Sequence, residues 1–370
     1  MIYFDNAATS GQKPQSVIKA MNYALKNLSA NPGRSGHKSS QDAAYFVYNA
    51  RKTVSEYFGS DGPETVVFTQ NCTASINFVL KGVLNFNDHI VVSDLEHNAV
   101  MRPLQKMGID YSMASVSLEN DDETYNNFVK AIRPNTKMIF CTAASNVVGK
   151  TLPLKKIGDF CKKQGILFGV DAAQGAGIMP INMKNMNIDY LCIAPHKGLY
   201  CPMGFGVLIA RKPIKNTLIE GGTGTNSIDF MQPDTLPEML ESGTVNLPAI
   251  ATIEKGISFI KNRENHIINH ENKLVKMLYD GLKKSNVIFY TNPHILGYVP
   301  VISFNVLDRP SEDVGSILSD GGFALRAGLH CAPTAHKKLG TLKQGTVRFS
   351  PSIFNNEKEV ILLINKIKKI

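Results

Sequence analysis

The chain has no C-x-x-C pair, no apolar run of membrane length, no internal repeat and no low-complexity tract, and each absence closes off a class of protein. Its six cysteines (Cys72, Cys141, Cys161, Cys192, Cys201 and Cys331) are scattered over 370 residues. At such spacing they build neither a disulfide framework nor a zinc knuckle, and they read as reduced thiols. The longest apolar stretches are broken by Asp171, Gln174 or Pro180, well short of the roughly 20 residues a membrane helix needs. Met1 leads straight into Ile2-Tyr3-Phe4, with no basic leader and no small-residue cleavage site. The expectation is a cytoplasmic protein without a signal peptide.

What is present describes an ordinary water-soluble chain: 43% hydrophobic and 19% charged residues, enough apolar material for a folded core. The length suits one large domain with a smaller companion, because single cores stop growing at a few hundred residues. Formal charge is +9, from 40 Lys and Arg against 31 Asp and Glu, but only Lys366, Lys368 and Lys369 cluster. That pattern is a solvated basic surface, with no stripe for nucleic acid or membrane.

Between residues 66 and 209 short apolar runs (65–69, 90–93, 138–142, 166–171, 190–193 and 205–210) alternate with amphipathic stretches such as 73–84 and 154–164. Alternation of this kind predicts an α/β domain with a mostly parallel sheet. Residues 221–237 are rich in Gly, Thr, Asn and Pro and read as a long loop or linker. One long helical pattern covers 248–284. Strand-like 301–306, a helix from Ser311, strand-like 323–326 and 346–350, and a last helix from Glu357 make a smaller α+β unit.

Chemistry is concentrated at two strand ends. The run 166–171 closes on Asp171, followed by Gln174, and the next run is followed by Ala194-Pro195-His196-Lys197-Gly198. In open α/β sheets the carboxyl ends of the strands face the ligand crevice, so Asp171, Gln174 and Lys197 are expected at one edge. A lysine and a carboxylate meeting there suit pyridoxal phosphate, which needs an amine for its Schiff base and an anion facing its ring nitrogen. Read alone, Asp171 could equally be a helix N-cap and Lys197 a surface charge. Cys331 follows His330 in a segment bounded by Gly328 and Pro333, which reads as a loop carrying an exposed thiol. A neighbouring histidine can favour the nucleophilic thiolate. His330, Cys331 and His336 match no familiar zinc spacing, and no metal site is expected.

Eight segments occur in the order found in class V aminotransferases: Asp5-Asn-Ala-Ala-Thr9, residues 69–73, Glu96-His97-Asn98-Ala99, Ser145-Asn146-Val-Val-Gly149, Asp171-Ala-Ala-Gln174, His196-Lys197-Gly198, Glu241-Ser-Gly243-Thr244 and Arg326-Ala-Gly-Leu-His330-Cys331-Ala332. The chain resembles that family over nearly its whole length, and within it the cysteine desulfurase and selenocysteine lyase branch.

The resemblance implies a PLP-dependent fold type I: an α/β large domain with a mostly parallel seven-stranded sheet plus a small α+β C-terminal domain. The expected boundaries are 1–15 for an N-terminal segment packing with the small domain, 16–250 for the large domain and 251–370 for a long connecting helix and the small domain. It implies a homodimer that turns L-cysteine into L-alanine, with Lys197 carrying the cofactor and moving the Cα proton, and Cys331 taking the sulfur as a persulfide for transfer to an acceptor protein. By the same resemblance His97 stacks on the cofactor ring, Asp171 faces the ring nitrogen and Gln174 the ring hydroxyl. Cys72, Thr73 and His196 hold the phosphate, and Thr244 reaches the phosphate of the neighbouring subunit. Asn146 sits beside both the cofactor hydroxyl and the substrate carboxylate, and Arg348 binds that carboxylate, with Arg326 a second candidate.

Two departures imply a weaker or differently arranged phosphate cup. Ala194 stands where the best-known relatives carry Ser or Thr, and Asn71 and Cys72 replace the usual Gly and Thr. L-Selenocysteine as substrate, another class V aminotransferase or lyase in which Cys331 is idle, and a non-catalytic sulfur-relay scaffold remain as alternatives.

Overall fold

The computed structural model describes residues 1–33, 35–225 and 227–370. Its strands in chain order are β1 (Ile2–Tyr3), β2 (Val66–Thr69), β3 (His89–Ser93), β4 (Asp110–Ala114), β5 (Thr136–Thr142), β6 (Leu167–Asp171), β7 (Tyr190–Ile193), β8 (Gly206–Ala210), β9 (Val287–Phe289), β10 (Ile302–Val306), β11 (Phe323–Ala324), β12 (Arg326–Gly328) and β13 (Thr346–Phe349). Seven of them form one sheet in the order β2-β8-β7-β6-β5-β3-β4. Only β8 runs antiparallel to its neighbours, so the sheet is mostly parallel, as the alternating runs predict. Helices cover both faces, which is why β2, β3, β7 and β8 are buried along their whole length and read as unbroken apolar runs.

A second, antiparallel sheet of order β12-β13-β10-β9 builds the smaller α+β layer. The chain start is tied to it: β1 pairs with β11 and Asp5 bridges to Ser350. The same N-terminal segment then straps the large sheet. The carbonyl of His196 accepts from the Ser10 N–H at 3.0 Å, the Thr9 hydroxyl at 3.1 Å and the Ser10 hydroxyl at 3.0 Å.

Three elements differ from the periodicity reading. The long helix expected from residue 248 is broken into Leu247–Ile250, Ile253–Lys261 and Glu264–Leu282, with Asn262 (ψ 0°) and Arg263 (φ −141°) outside helical geometry. The break lets Ile253, Ile257 and Ile260 pack into the large core while Leu274, Leu278 and Leu282 enter the small one, which a single straight apolar stripe would not serve. The strand expected at 323–326 is shared between two sheets, β11 with β1 and β12 with β13. Edge strand β4 is half exposed and carries no apolar run. Residues 221–237 hold no helix or strand among those described.

Candidate active site

Strands β5, β6 and β7 run parallel in register, with Thr142 beside Asp171 and Asp171 beside Cys192, so their carboxyl ends share one edge. A cavity of about 560 Å³ opens there. Asp171 and Lys197 both line it, as do Cys72, Thr73, His97, Asn146, Gln174 and His196. Eight residues singled out from the sequence are thus brought to one place.

Asp171 is held by the chain itself, since the N–H of Ala173 donates to Oδ1 at 2.9 Å. Lys197 lines the same cavity as that carboxylate. Burial, opposed by Asp171, lowers the ammonium pKa below that of an ordinary lysine. The thiol of Cys72 lies 3.8 Å from Asp171 Oδ1, and burial, then the neighbouring carboxylate, push it well above an ordinary thiol. That makes it a neutral wall of the cavity and a poor nucleophile.

The turn before helix Cys72–Val83 is held close to the sheet: a Cβ on Gly206 would come within 2.3 Å of the Asn71 carbonyl carbon. Asn71 caps the helix by accepting from Ala74 N at 2.9 Å. The N–H groups of Cys72 and Thr73, in the first turn, have no intrahelical acceptor and face the positive end of the helix dipole. Across the cavity, His196 Nδ1 is buried with no partner among the described residues. Burial, then Lys197 and Lys13, push the His196 imidazole down to about 4. Ala194, at the same wall, offers no hydroxyl.

His97 is the N-cap of helix Asn98–Met107, and its Nδ1 accepts from Ala99 N at 3.0 Å. Burial lowers its pKa, so the ring is neutral with its proton on Nε2. Gln174 donates one Nε2 hydrogen to the Ala7 carbonyl at 2.9 Å, which leaves its second amide hydrogen and its Oε1 for a ligand.

Arg348 is 1% exposed and is not among the residues that line the cavity, but it is bonded to Asn146, which is. It donates through Nη1 to the Asn146 carbonyl at 3.0 Å and through Nη2 to Asp5 Oδ1 at 2.7 Å, leaving Nε without a partner among the described residues. Cys331 is exposed, with Arg326 Nη2 3.5 Å from its sulfur. No carboxylate among the described residues pairs with Arg326, and its cation lies beside the thiol. The neighbouring His330 does not take that part. It is buried, its Nε2 lies 3.0 Å from the Thr346 carbonyl, and burial together with Arg348 drives its pKa far down. Thr244 stands apart from the cavity, exposed and 3.3 Å from Asn31 Nδ2. Cys141, Cys161 and Cys192 are buried core thiols, and Cys201 is buried with its Sγ 3.5 Å from the Leu199 carbonyl.

Sequence reasoning missed Asp5 as the partner of Arg348, the Ala7 carbonyl as partner of Gln174, and Glu96. The last is fully buried, accepts from Thr142 N at 2.9 Å, and is pushed up to about 8 by burial. Asp5 and Glu96 both sit in the ordered segments, but only their three-dimensional partners reveal what they do.

A family-wide sequence model of class V aminotransferases matches residues 2–363. The chain belongs to the class V aminotransferase family. Among curated class V relatives, a "Probable cysteine desulfurase" of Pyrococcus abyssi is 31% identical, covering 100% of this chain and 94% of that protein. A "Cysteine desulfurase" of Haloferax volcanii is 28% identical over 99% of this chain and 88% of its own. Among solved structures, the apo cysteine desulfurase of Thermococcus onnurineus superposes with a TM-score of 0.90 at 32% identity, covering 100% and 94% of the two chains. A cysteine desulfurase of Escherichia coli, in an S-sulfonic acid form, gives 0.87 at 25% identity over 99% and 94%. The class V fold, a large mostly parallel sheet with a smaller α+β unit, is therefore shared over full length.

Proposed function

We propose that this chain is a pyridoxal-5′-phosphate-dependent cysteine desulfurase, a sulfurtransferase that converts L-cysteine to L-alanine and keeps the sulfur as a persulfide on Cys331. The observation that carries the reading is the exposed Cys331 thiol, beside Arg326, in a loop bonded to Asn146, a residue that also walls the cavity of Lys197 and Asp171.

The cavity fits the cofactor. The buried, unpartnered Nδ1 of His196 and the first-turn N–H groups of Cys72 and Thr73 suit its phosphate. His97 offers a flat ring face, Asp171 an anion for the ring nitrogen and Gln174 an amide for the hydroxyl. Bound there through Lys197, the cofactor supplies a sink for the electron pair released at the substrate Cα.

The protein's own groups do the rest. Arg348, through its free Nε edge, and Asn146 orient the substrate carboxylate. Lys197 Nζ, its pKa lowered by burial, takes the Cα proton and carries it. The Cys331 sulfur attacks the substrate sulfur: an S–S bond forms, the Cβ–S bond breaks, and carbon keeps that electron pair. Net, the thiol of Cys331 loses a hydrogen, the methyl of alanine gains one, and the enzyme holds S–SH. The sulfane sulfur then passes to a thiol or an acceptor protein.

A second copy of the chain completes the assembly in this reading. Ile228, Phe230 and Met231 stand almost fully exposed on the same loop region that leads to Gly243 and Thr244, an apolar patch that a homodimer would cover. The six unpaired cysteines suit the cytoplasm.

Product analysis tests the reading. With L-cysteine and a reducing thiol, alanine and sulfide should appear in equal amounts; pyruvate or keto-acid products would assign another class V reaction instead. Selenide from L-selenocysteine with no sulfide from L-cysteine would assign the selenocysteine lyase alternative.

A further inference from the structure

The loop that carries Cys331 is held to the cavity wall by two hydrogen bonds on consecutive carbonyls. Asn146 Nδ2 donates to the His330 carbonyl at 2.7 Å, in a buried position, and the backbone N–H of Asn98 donates to the Cys331 carbonyl at 2.7 Å. His330 and Cys331 are both in the left-handed region, with φ of 49° and 56°. L-residues keep that conformation only where the surroundings over-determine it. Nothing in the side chain of Cys331 imposes it, because that side chain is exposed and its one polar contact among the described residues is with Arg326. The turn is closed by the Ala332 N–H donating to the Leu329 carbonyl at 2.9 Å, and the two carbonyl bonds, with the His330 ring anchored at Thr346, tie that turn to the cavity wall.

An asparagine amide nitrogen carries two hydrogens. The His330 carbonyl uses one, and the other meets no acceptor among the described residues, on a side chain that lines the cavity. We propose that Asn146 is the positioning residue of the nucleophile loop: one amide nitrogen holds the His330 carbonyl and the substrate carboxylate together, fixing the distance from bound substrate to Cys331. The second half of this statement rests on the carboxylate site proposed above; the first half stands on the loop geometry alone. Arg348 serves the same alignment from behind, since its Nη1 pins the Asn146 carbonyl at 3.0 Å.

Hydrogen exchange on the cofactor-loaded protein, without turnover, separates the two halves. Asn146→Asp keeps size and shape but removes the donor and sets an anion against the His330 carbonyl, so amides of residues 329–332 should exchange at least tenfold faster. Asn146→Ala should do the same. Peptides from β5 and from the buried Cys141 and Cys192 should stay unchanged, showing that the fold is intact. Saturating L-alanine, a carboxylate without a transferable sulfur, should slow loop exchange severalfold in the wild type and leave Asn146→Asp unaffected. Loop exchange at the wild-type rate in both variants would overturn the positioning role, whatever the activity. Faster exchange in the variants with no L-alanine effect in the wild type would keep the loop-holding role and overturn the shared carboxylate, and with it the substrate end of the proposed function.

Discussion

Glu271 is a buried carboxyl whose removal should change how the protein responds to pH. It lies on helix Glu264–Leu282, is 2% exposed, and lines a second cavity of about 440 Å³ whose wall also includes Lys197. Tyr200 donates to its Oε1 at 3.3 Å. Tyr200 is three residues beyond Lys197, has φ of 56°, and packs edge-on against Phe259 and Phe354, so the Tyr200–Glu271 contact anchors the lysine loop. Burial pushes the Glu271 carboxyl from 4.5 to about 8. Above pH 4.5 the unfolded chain releases this proton while the folded chain keeps it, so the folded state binds more protons and stability falls as pH rises, until about 8. The slope is about 1.4 kcal/mol per pH unit, or nearly 3 kcal/mol between pH 5.5 and 7.5, to order of magnitude. Glu96, also raised to about 8, adds a second contribution of the same sign. Glu271→Gln keeps the volume and an oxygen for Tyr200 but never ionises, so its stability relative to wild type should improve by that amount over the same two units. Urea unfolding at pH 5.5 and 7.5, at fixed cofactor concentration, reads the difference. Parallel pH dependence in the two proteins would mean that Glu271 is ionised in the fold and that the desolvation argument is wrong.

Lys197→Ala should give a folded protein without covalently attached cofactor, checked by borohydride reduction and peptide mass mapping; an adduct on another lysine would relocate the site. Arg348→Ala removes a buried charge-assisted donor and strands Asp5, and should lower kcat/KM by a factor corresponding to about 2 to 4 kcal/mol, mainly through KM, whereas Arg326→Ala should act mainly on sulfur release because its guanidinium faces Cys331. A larger KM effect for Arg326→Ala would exchange the two roles. Mixing inactive Lys197→Ala and Thr244→Ala chains should restore part of the activity after subunit exchange if Thr244 completes the neighbouring site; verified exchange without recovery would confine Thr244 to its own subunit.

The parallel sheet was legible because β2, β3, β7 and β8 are buried on both faces and their apolar runs admit no other reading of comparable length. Strand β4 was not: at the sheet edge Asp110 and Ser112 can face water, so the run carries no apolar signal. The broken helix after residue 247 kept a continuous apolar period across Asn262 and Arg263, and only the need to serve two cores reveals the bend. Residue types at the site were legible from ordered segments, and local strand register explains why Asp171 and Lys197 share an edge. Long-range pairing was not legible. Asp5 and Arg348 are 343 residues apart and meet because the chain start adds β1 to the small unit. Likewise, the sequence adjacency of His330 and Cys331 pointed to the histidine as the thiol's neighbour, while the fold turns that ring inward and brings Arg326 to the sulfur.

The most direct test of the account is the fate of sulfur in Cys331→Ser, an exchange that removes the nucleophile at nearly constant volume and touches none of the groups lining the cofactor cavity. Wild-type protein treated with L-cysteine and digested without reductant should yield the Cys331 peptide carrying one extra sulfur, with alanine formed in equal amount. The Cys331→Ser protein should still bind cofactor and substrate, shown by its visible absorption, yet release no sulfide from L-cysteine. Sulfide production persisting in Cys331→Ser, or the extra sulfur found on Cys72 or Cys201 in the wild type, would contradict the assignment of Cys331 as the sulfur-accepting residue.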